Sequence, residues 1–191
     1  MPLETPAGYV PLDSASIPAF VSGLPSIAAR LGGGPSDWQV SEVGDGNLNL
    51  VFLVRGPLGG VCIKQALPYV RLVGESWPLP LSRSHYEYLA LTHQARLAPG
   101  LVPVVLHHNE GLALVIMELI EPHIIMRKGL IAGTLYPRFV GDIVAFLART
   151  LFFSSDLAIP AAQKKAGIAA FAGNHALCKI TEDLIDRKSV V

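Results

Sequence analysis

Apolar residues alternate with polar ones in two adjacent segments of the first third of the chain. Every second residue from Leu48 to Val54 is a large apolar side chain, and Asn49 lies on the opposite face of the pattern. A turn rich in Gly and Pro follows at 56–60, and a second alternating segment carries Lys64. The pattern predicts an antiparallel hairpin with a single inward-facing lysine on its second strand.

Further strands and a helix surround this hairpin in the sequence. A strand begins at Trp38, and two more strands at 101–107 and 112–119 form a second hairpin around the turn 109–111. Residues 82–97 have helical periodicity, with an apolar stripe made of Tyr86, Leu89, Ala90, His93 and Leu97. Residues 66–81 are rich in proline and predict an irregular connection.

Helical patterns lie at both ends of the chain. Residues 12–31 predict two short helices, with Pro18 and Pro25 at positions that first helical turns tolerate. After residue 120 the strand patterns stop, and 136–153 and 161–185 carry apolar residues at helical spacing. The predicted fold class is α+β: a five-stranded antiparallel sheet with one interposed helix, followed by helices beyond a boundary at 119–130.

Composition and charge narrow the classes of function. The chain has 191 residues, of which 51% are hydrophobic and 16% are charged, so it can bury a sizeable core. Fifteen basic and fifteen acidic residues without a basic cluster argue against nucleic acid or a membrane surface as partner. The apolar runs are too short for a membrane span, and Cys62 and Cys178 predict buried structural thiols, so we expect a cytoplasmic protein.

A glycine turn before the first hairpin strand predicts a phosphate site. Backbone N–H groups near Gly44 and Gly46 can approach phosphate oxygens closely, and the ammonium group of Lys64 supplies a positive charge. A lysine in a two-residue alternation is also typical of a solvated strand, and Asn49 fits an edge-strand polar group equally well.

The six histidines do not predict a metal site. His107 and His108 are adjacent, so in a strand their side chains point to opposite faces. His93 lies on the apolar stripe of the predicted helix, which is typical of a core histidine.

Four segments carry a specific resemblance. They read GDGNLNLVF at 44–52, KQALPYVRLVGESWPLPL at 64–81, PHIIMRKGLIAG at 122–133 and TLFFSSDL at 150–157. These segments resemble the methylthioribose kinase family, in the aminoglycoside-phosphotransferase and choline-kinase branch of the protein-kinase-like fold. The resemblance covers about 12–185 and implies that 1–120 form the small, nucleotide-binding lobe and that 121–185 form the first helices of a truncated large lobe.

The resemblance implies ATP- and Mg²⁺-dependent phosphorylation of the 1-hydroxyl of 5-methylthioribose in methionine salvage, by a homodimer. The resemblance further implies that Asn49 contacts the nucleotide and that Lys64 contacts its phosphates. It also implies that the backbone of Glu118, Leu119 and Ile120 pairs with the adenine edge.

Two further positions keep alternatives open. Glu87 occupies the place of the acid that pairs with the strand lysine in kinase-like folds, but an acid in a first helical turn also complements the helix dipole. Trp77 lies in a rigid W-P-L-P segment that suggests a lid over a bound ligand, or a loop packed against its own helix.

The resemblance also shows what to expect beyond these residues. After Ile120 the sequence contains neither a His-Gly-Asp element nor an Asp-x-Glu metal motif, so we expect no catalytic residue and no metal ligand in this chain, weak nucleotide binding and no activity. Residues 186–191 leave the family pattern and match a peptide that a common sequencing adapter encodes before a stop codon. We therefore expect a non-native tail and a natural protein that continues.

Other classes of function remain compatible with the pattern. One is a non-catalytic nucleotide-binding or regulatory module, and another is a structural interaction domain. The nearest enzymatic alternative is a kinase-like phosphotransferase that acts on a hydroxylated amine or another sugar.

Overall fold

A five-stranded antiparallel sheet organises the first part of the molecule. The computed structural model describes residues 5–44, 46, 48–72 and 74–183. The strands, in chain order, are β1 (Gln39–Glu42), β2 (Asn49–Arg55), β3 (Gly60–Ala66), β4 (Tyr69–Val70), β5 (Gly74–Pro78), β6 (Val105–Asn109) and β7 (Leu114–Glu118). The order in the main sheet is β1-β2-β3-β7-β6, which confirms the predicted five strands.

The helices follow the predicted order, but the stretch predicted at 161–185 contains two helices and one short helix is added. They are α1 (Ile17–Ser22), α2 (Pro25–Leu31), α3 (Arg83–Leu97), α4 (Met126–Ile131), α5 (Phe139–Phe152), α6 (Ala161–Phe171) and α7 (His175–Thr181). Pro18 and Pro25 stand in the first turns of α1 and α2, where a missing N–H costs no helical hydrogen bond. The short helix α4 was not predicted.

The core lies on one face of the sheet. Burial alternates along β2 and β3, so that Phe52 and Ile63 are completely buried and Asn49 and Lys64 are half-buried on the other face. Helices α1 and α2 cover the buried face with Ile17, Val21, Ile27 and Leu31. Full burial of each of these side chains contributes about 1.5–3 kcal/mol.

A buried glutamine connects the start of the chain to β3. The side chain of Gln65 accepts a hydrogen bond from the backbone N–H of Leu12 at 2.8 Å. Its Nε2 donates to the carbonyl oxygens of Val10 at 2.9 Å and Leu112 at 3.0 Å. The segment before α1 is thereby attached directly to the strand that carries Lys64.

The prediction of an irregular segment at 66–81 is wrong. Strands β4 and β5 form a small hairpin in which Trp77 is part of β5, and Arg71 joins this hairpin to Glu42 of β1 through an ion pair of 2.7 Å. The β-forming residues Tyr69 and Trp77 outweigh the prolines, because Pro is compatible with an edge strand. Val73 lies outside the described residues.

The described residues after β7 contain helices and no strand. The proposed boundary near 120 agrees with this change but stays a prediction. None of the helices in the described ranges combines the length and the apolar character that a membrane crossing requires.

Candidate functional site

The side chains of Lys64 and Glu87 meet on the half-buried face of the sheet. Lys64 lies opposite Val51 and Val115 in the two neighbouring strands, and Glu87 projects from the second turn of α3. Their Nζ and Oε1 atoms are 2.6 Å apart, and the two side chains are 30% and 28% exposed. The ion pair predicted from the sequence is therefore present, whereas its role toward a nucleotide stays a prediction.

Arg83 completes this cluster and was missed from the sequence. Its side chain is only 3% exposed, and it donates hydrogen bonds to the carbonyl oxygens of Pro80 at 3.1 Å and of Leu48. Burial lowers the pKa of Arg83 to about 10 through desolvation, so it stays cationic at neutral pH. A charged residue at a helix start is usually solvated, so the sequence offered no signal for this burial.

Asn49 is held by Arg83 at the start of β2. Its Oδ1 accepts a hydrogen bond of 3.3 Å from Arg83, which aims the amide toward the same cavity as Lys64. In the turn before it, a Cβ added at Gly46 would lie 2.9 Å from the carbonyl oxygen of Asn49, so only glycine fits there. Gly44 has open space around its Cα, and Asp45 and Asn47 of the predicted phosphate turn lie outside the described residues.

The predicted connector begins at the end of β7. Both the backbone N–H and the side-chain carboxylate of Glu118 bind the backbone of Val104, at 2.9 and 3.0 Å. Leu119 packs against Gly60 so closely that a Cβ there would lie 2.6 Å from the Leu119 Cδ2 atom. Within the described ranges, Leu119 and Ile120 make no backbone–backbone hydrogen bond, so their peptide groups can accept an external partner.

A cavity of about 400 Å³ collects most of the polar residues of the site. Its lining residues are Leu48, Asn49, Lys64, Arg83, Tyr86, Glu87, Ala90, Phe171, Asn174 and Leu177. The connector residues and Trp77 are not among them, so the structure joins Asn49, Lys64 and Glu87 but leaves Trp77 apart. The cavity combines two cations and one carboxylate, a charge pattern that suits an anionic ligand.

The two thiols differ in how far they are buried. Cys62 is half-buried beside Lys64 on β3, and burial raises the pKa of its thiol. Cys178 is exposed, so the prediction of two buried thiols is wrong for this residue. The reason is that α7 buries none of its residues completely.

Comparisons with known proteins find methylthioribose kinases that are similar to this chain. The chain is 49% identical over 181 residues to the methylthioribose kinase of Escherichia coli O45:K1 (strain S88 / ExPEC). The aligned residues make up 94% of this chain and 43% of that protein. Methylthioribose kinase 1 of Oryza sativa subsp. japonica is 45% identical over 179 residues, which are 93% of this chain and 42% of the relative. The methylthioribose kinase of Geobacillus sp. (strain WCH70) is 43% identical over 97% of this chain and 45% of its own length.

No family model matches the chain. The chain spans less than half the length of the curated relatives that it matches. The aligned span covers more than nine tenths of the chain, so it includes the strand of Lys64 and the helix of Glu87. Over more than nine tenths of its length, the chain is therefore similar to methylthioribose kinases.

Proposed function

We propose that the whole protein is an ATP-dependent kinase that phosphorylates the 1-hydroxyl group of 5-methylthioribose, a step of methionine salvage. The observation that carries the proposal is the 49% identity to a methylthioribose kinase over 181 residues. The position of Lys64 in a cationic cavity supports it further.

The cavity residues fit the phosphates of ATP, which supplies the transferred phosphoryl group when bound. Lys64 would bind phosphate oxygens and offset their negative charge. Glu87 would hold the lysine in place through the pair at 2.6 Å, and Arg83 would fix the side chain of Asn49. A held lysine loses less freedom when the nucleotide binds, which favours affinity.

The connector fits the adenine ring. The free peptide groups of Leu119 and Ile120 supply the donor and the acceptor that an adenine edge needs. Cys62 and Met117 lie side by side in β3 and β7 on the face of Lys64, and they give the ring an apolar surface.

The described residues of the cavity do not fit a magnesium site. Mg²⁺ requires an octahedral set of oxygen ligands, and Glu87 is the only carboxylate among the lining residues, where Lys64 already holds it. We therefore assign the Mg²⁺ ligands and the base to a part of the protein outside this chain, and we derive no step through the metal.

The later helices expose apolar side chains. On α5 they are Phe139, Val140, Val144, Leu147, Leu151 and Phe152. We propose that the remainder of the large lobe covers these side chains in the whole protein.

We also propose that residues 1–120 belong to the small lobe and residues 121–185 to the large lobe. The whole protein is proposed to be a cytoplasmic homodimer. Residues 186–191, the proposed non-native tail, lie outside the described residues. Light scattering on the whole protein tests the dimer.

Nucleotide binding by this chain tests the proposed phosphate-binding role of Lys64. Isothermal titration calorimetry with ATP should give weak binding that Lys64→Met abolishes. Lys165→Met is the matched control, because Lys165 is exposed on α6 and its substitution removes the same charge. Equal affinity of the two variants would refute a phosphate-binding role for Lys64.

The nucleotide sequence downstream of the Ile185 codon tests the proposed activity of the whole protein. We expect it to encode the large lobe, and we expect the encoded protein to transfer phosphate from ATP to 5-methylthioribose. A genomic reading frame that ends at Val191 would instead favour the second candidate, a nucleotide-binding module without chemistry. The assembly of Asn49, Lys64, Arg83 and Glu87 within the described residues supports that candidate.

A further inference from the structure

A second group of polar side chains lies where the first turn of α3 meets the β6–β7 hairpin. His85 of α3, His108 of β6 and Glu110 of the hairpin turn each offer one possible ligand atom, and these atoms all lie within 4.8 Å of one another. A cavity of about 340 Å³ is lined by all three residues. It shares no lining residue with the Lys64 cavity, so it is a separate site.

Two polar atoms around this cavity have no partner in the described structure. They are Nε2 of His108 and Oγ of Ser84, both of which are buried. Ser84 is only 5% exposed and lines the same cavity. Buried polar groups in proteins nearly always have a partner, so two such atoms at one cavity indicate a ligand that binds there.

The geometry of the group is partly fixed before any ligand binds. The ring of His108 stacks on Tyr88 with 4.2 Å between the ring centroids and 4° between the planes. The His85 ring lies 5.8 Å from the His108 ring, and Nδ1 of His85 lies 3.1 Å from Oε1 of Glu110. A tetrahedral ion with ligands at about 2.0–2.1 Å separates neighbouring ligand atoms by about 3.3 Å, so this spacing suits a shared metal.

We propose that His85, His108 and Glu110 bind a divalent transition-metal ion, for which zinc is the best match. Two imidazoles and one carboxylate form a typical zinc ligand set, whereas calcium and magnesium prefer oxygen ligands alone. A water molecule would complete the fourth position. This site was not predicted from the sequence, because adjacent His107 and His108 point to opposite faces of a strand and the second histidine ligand comes from α3 instead.

The ion would join α3 to the hairpin of β6 and β7. His85 is two residues before Glu87 on the same helix, so an ion at this site would hold the helix that carries the partner of Lys64. The proposal does not depend on kinase activity, because the site shares no residue with the nucleotide cavity.

Metal titration of the 191-residue chain tests the proposal. After treatment with a chelator, calorimetry with Zn²⁺ should show one ion per chain, and Co²⁺ should give the visible absorption of a four-coordinate ion. Loss of a residue that only hydrogen-bonds a metal ligand weakens metal binding about 10–100-fold. Loss of a ligand itself should weaken it at least as much, so His108→Gln and Glu110→Gln should each weaken Zn²⁺ binding at least about tenfold. His123→Gln is the matched control, because His123 is exposed and lies outside the group.

Two results would overturn the proposal. One is the absence of stoichiometric Zn²⁺ binding to the parent chain, and the other is equal affinity in the three variants. If a variant fails to fold by circular dichroism, X-ray absorption of the zinc-loaded parent decides. A ligand shell with two imidazoles supports the site, and a shell without imidazole scattering refutes it.

Discussion

Nζ of Lys64 lies 2.6 Å from Oε1 of Glu87, and this ion pair joins β3 to α3. Because both side chains are about 30% exposed, the pair should contribute no more than about 1 kcal/mol to stability. Its proposed importance lies in positioning the lysine rather than in holding the fold.

Glu87→Gln should therefore weaken ATP binding while leaving the free energy of unfolding nearly unchanged. We expect an affinity loss of about two- to fivefold, equivalent to about 0.4–1 kcal/mol, in calorimetric titrations. Glu75→Gln is the matched control, since Glu75 is exposed on β5. Comparable ATP affinity in the parent and in Glu87→Gln would rule out the positioning role.

Arg83→Met should destabilise the chain by about 2–4 kcal/mol. The substitution leaves the carbonyl oxygens of Leu48 and Pro80 and the amide oxygen of Asn49 without their buried donor. Urea denaturation measures the change. Arg96→Met, on the exposed side of the same helix, should change stability by less than about 0.5 kcal/mol, and an equal loss in both variants would contradict the structural role of Arg83.

Gln65→Leu should cost about 2–4 kcal/mol even though it adds an apolar side chain to the interior. Three hydrogen bonds to the backbone of Val10, Leu12 and Leu112 are lost, and the partners stay partly buried. Gln163→Leu on exposed α6 is the control and should be nearly neutral. Thermal melts of the two variants give the comparison, and a stable Gln65→Leu would argue against the attachment of the first segment.

Stability should fall at high pH because of Tyr9. Burial raises the pKa of Tyr9 to about 12, and its hydroxyl donates a hydrogen bond of 2.7 Å to the carbonyl oxygen of Ala66. The unfolded chain loses this proton near pH 10 whereas the folded chain keeps it, so the contribution is complete below about pH 10 and disappears as the pH rises toward 12. The difference in unfolding free energy between the parent and Tyr9→Phe should shrink across this interval, and a constant difference would contradict the assignment.

The lid proposed for Trp77 can be tested by fluorescence. The chain has two tryptophans, and Trp38 is only 7% exposed with its Nε1 bound to the carbonyl oxygen of Gly32 at 2.7 Å. A change on addition of ATP that disappears in Trp77→Phe would support the lid. An unchanged spectrum at saturating ATP would count against it, in line with the absence of Trp77 from the cavity lining.

Local periodicity predicted most of the strands and helices well. The two-residue alternation of apolar side chains indicates a strand, and the helical spacing of apolar side chains indicates a helix. The alternation of Leu50, Phe52 and Val54 gave both the strand and its buried face. The β4–β5 hairpin was missed because its strands are short and Pro68, Pro78 and Pro80 flank or end them. Arg83 and the group of His85, His108 and Glu110 could not be predicted, since their burial depends on how α3 packs across strands distant in sequence.

The contact between Gly60 and Leu119 sets a distance as well as a packing arrangement. Gly60 and Lys64 are four residues apart on one strand, which corresponds to about 13 Å along β3. Strand β3 thus separates the peptide groups of the connector from the ammonium group of Lys64 by a set distance. A nucleoside without phosphates could contact the connector but not Lys64, whereas a nucleoside with an extended triphosphate could contact both.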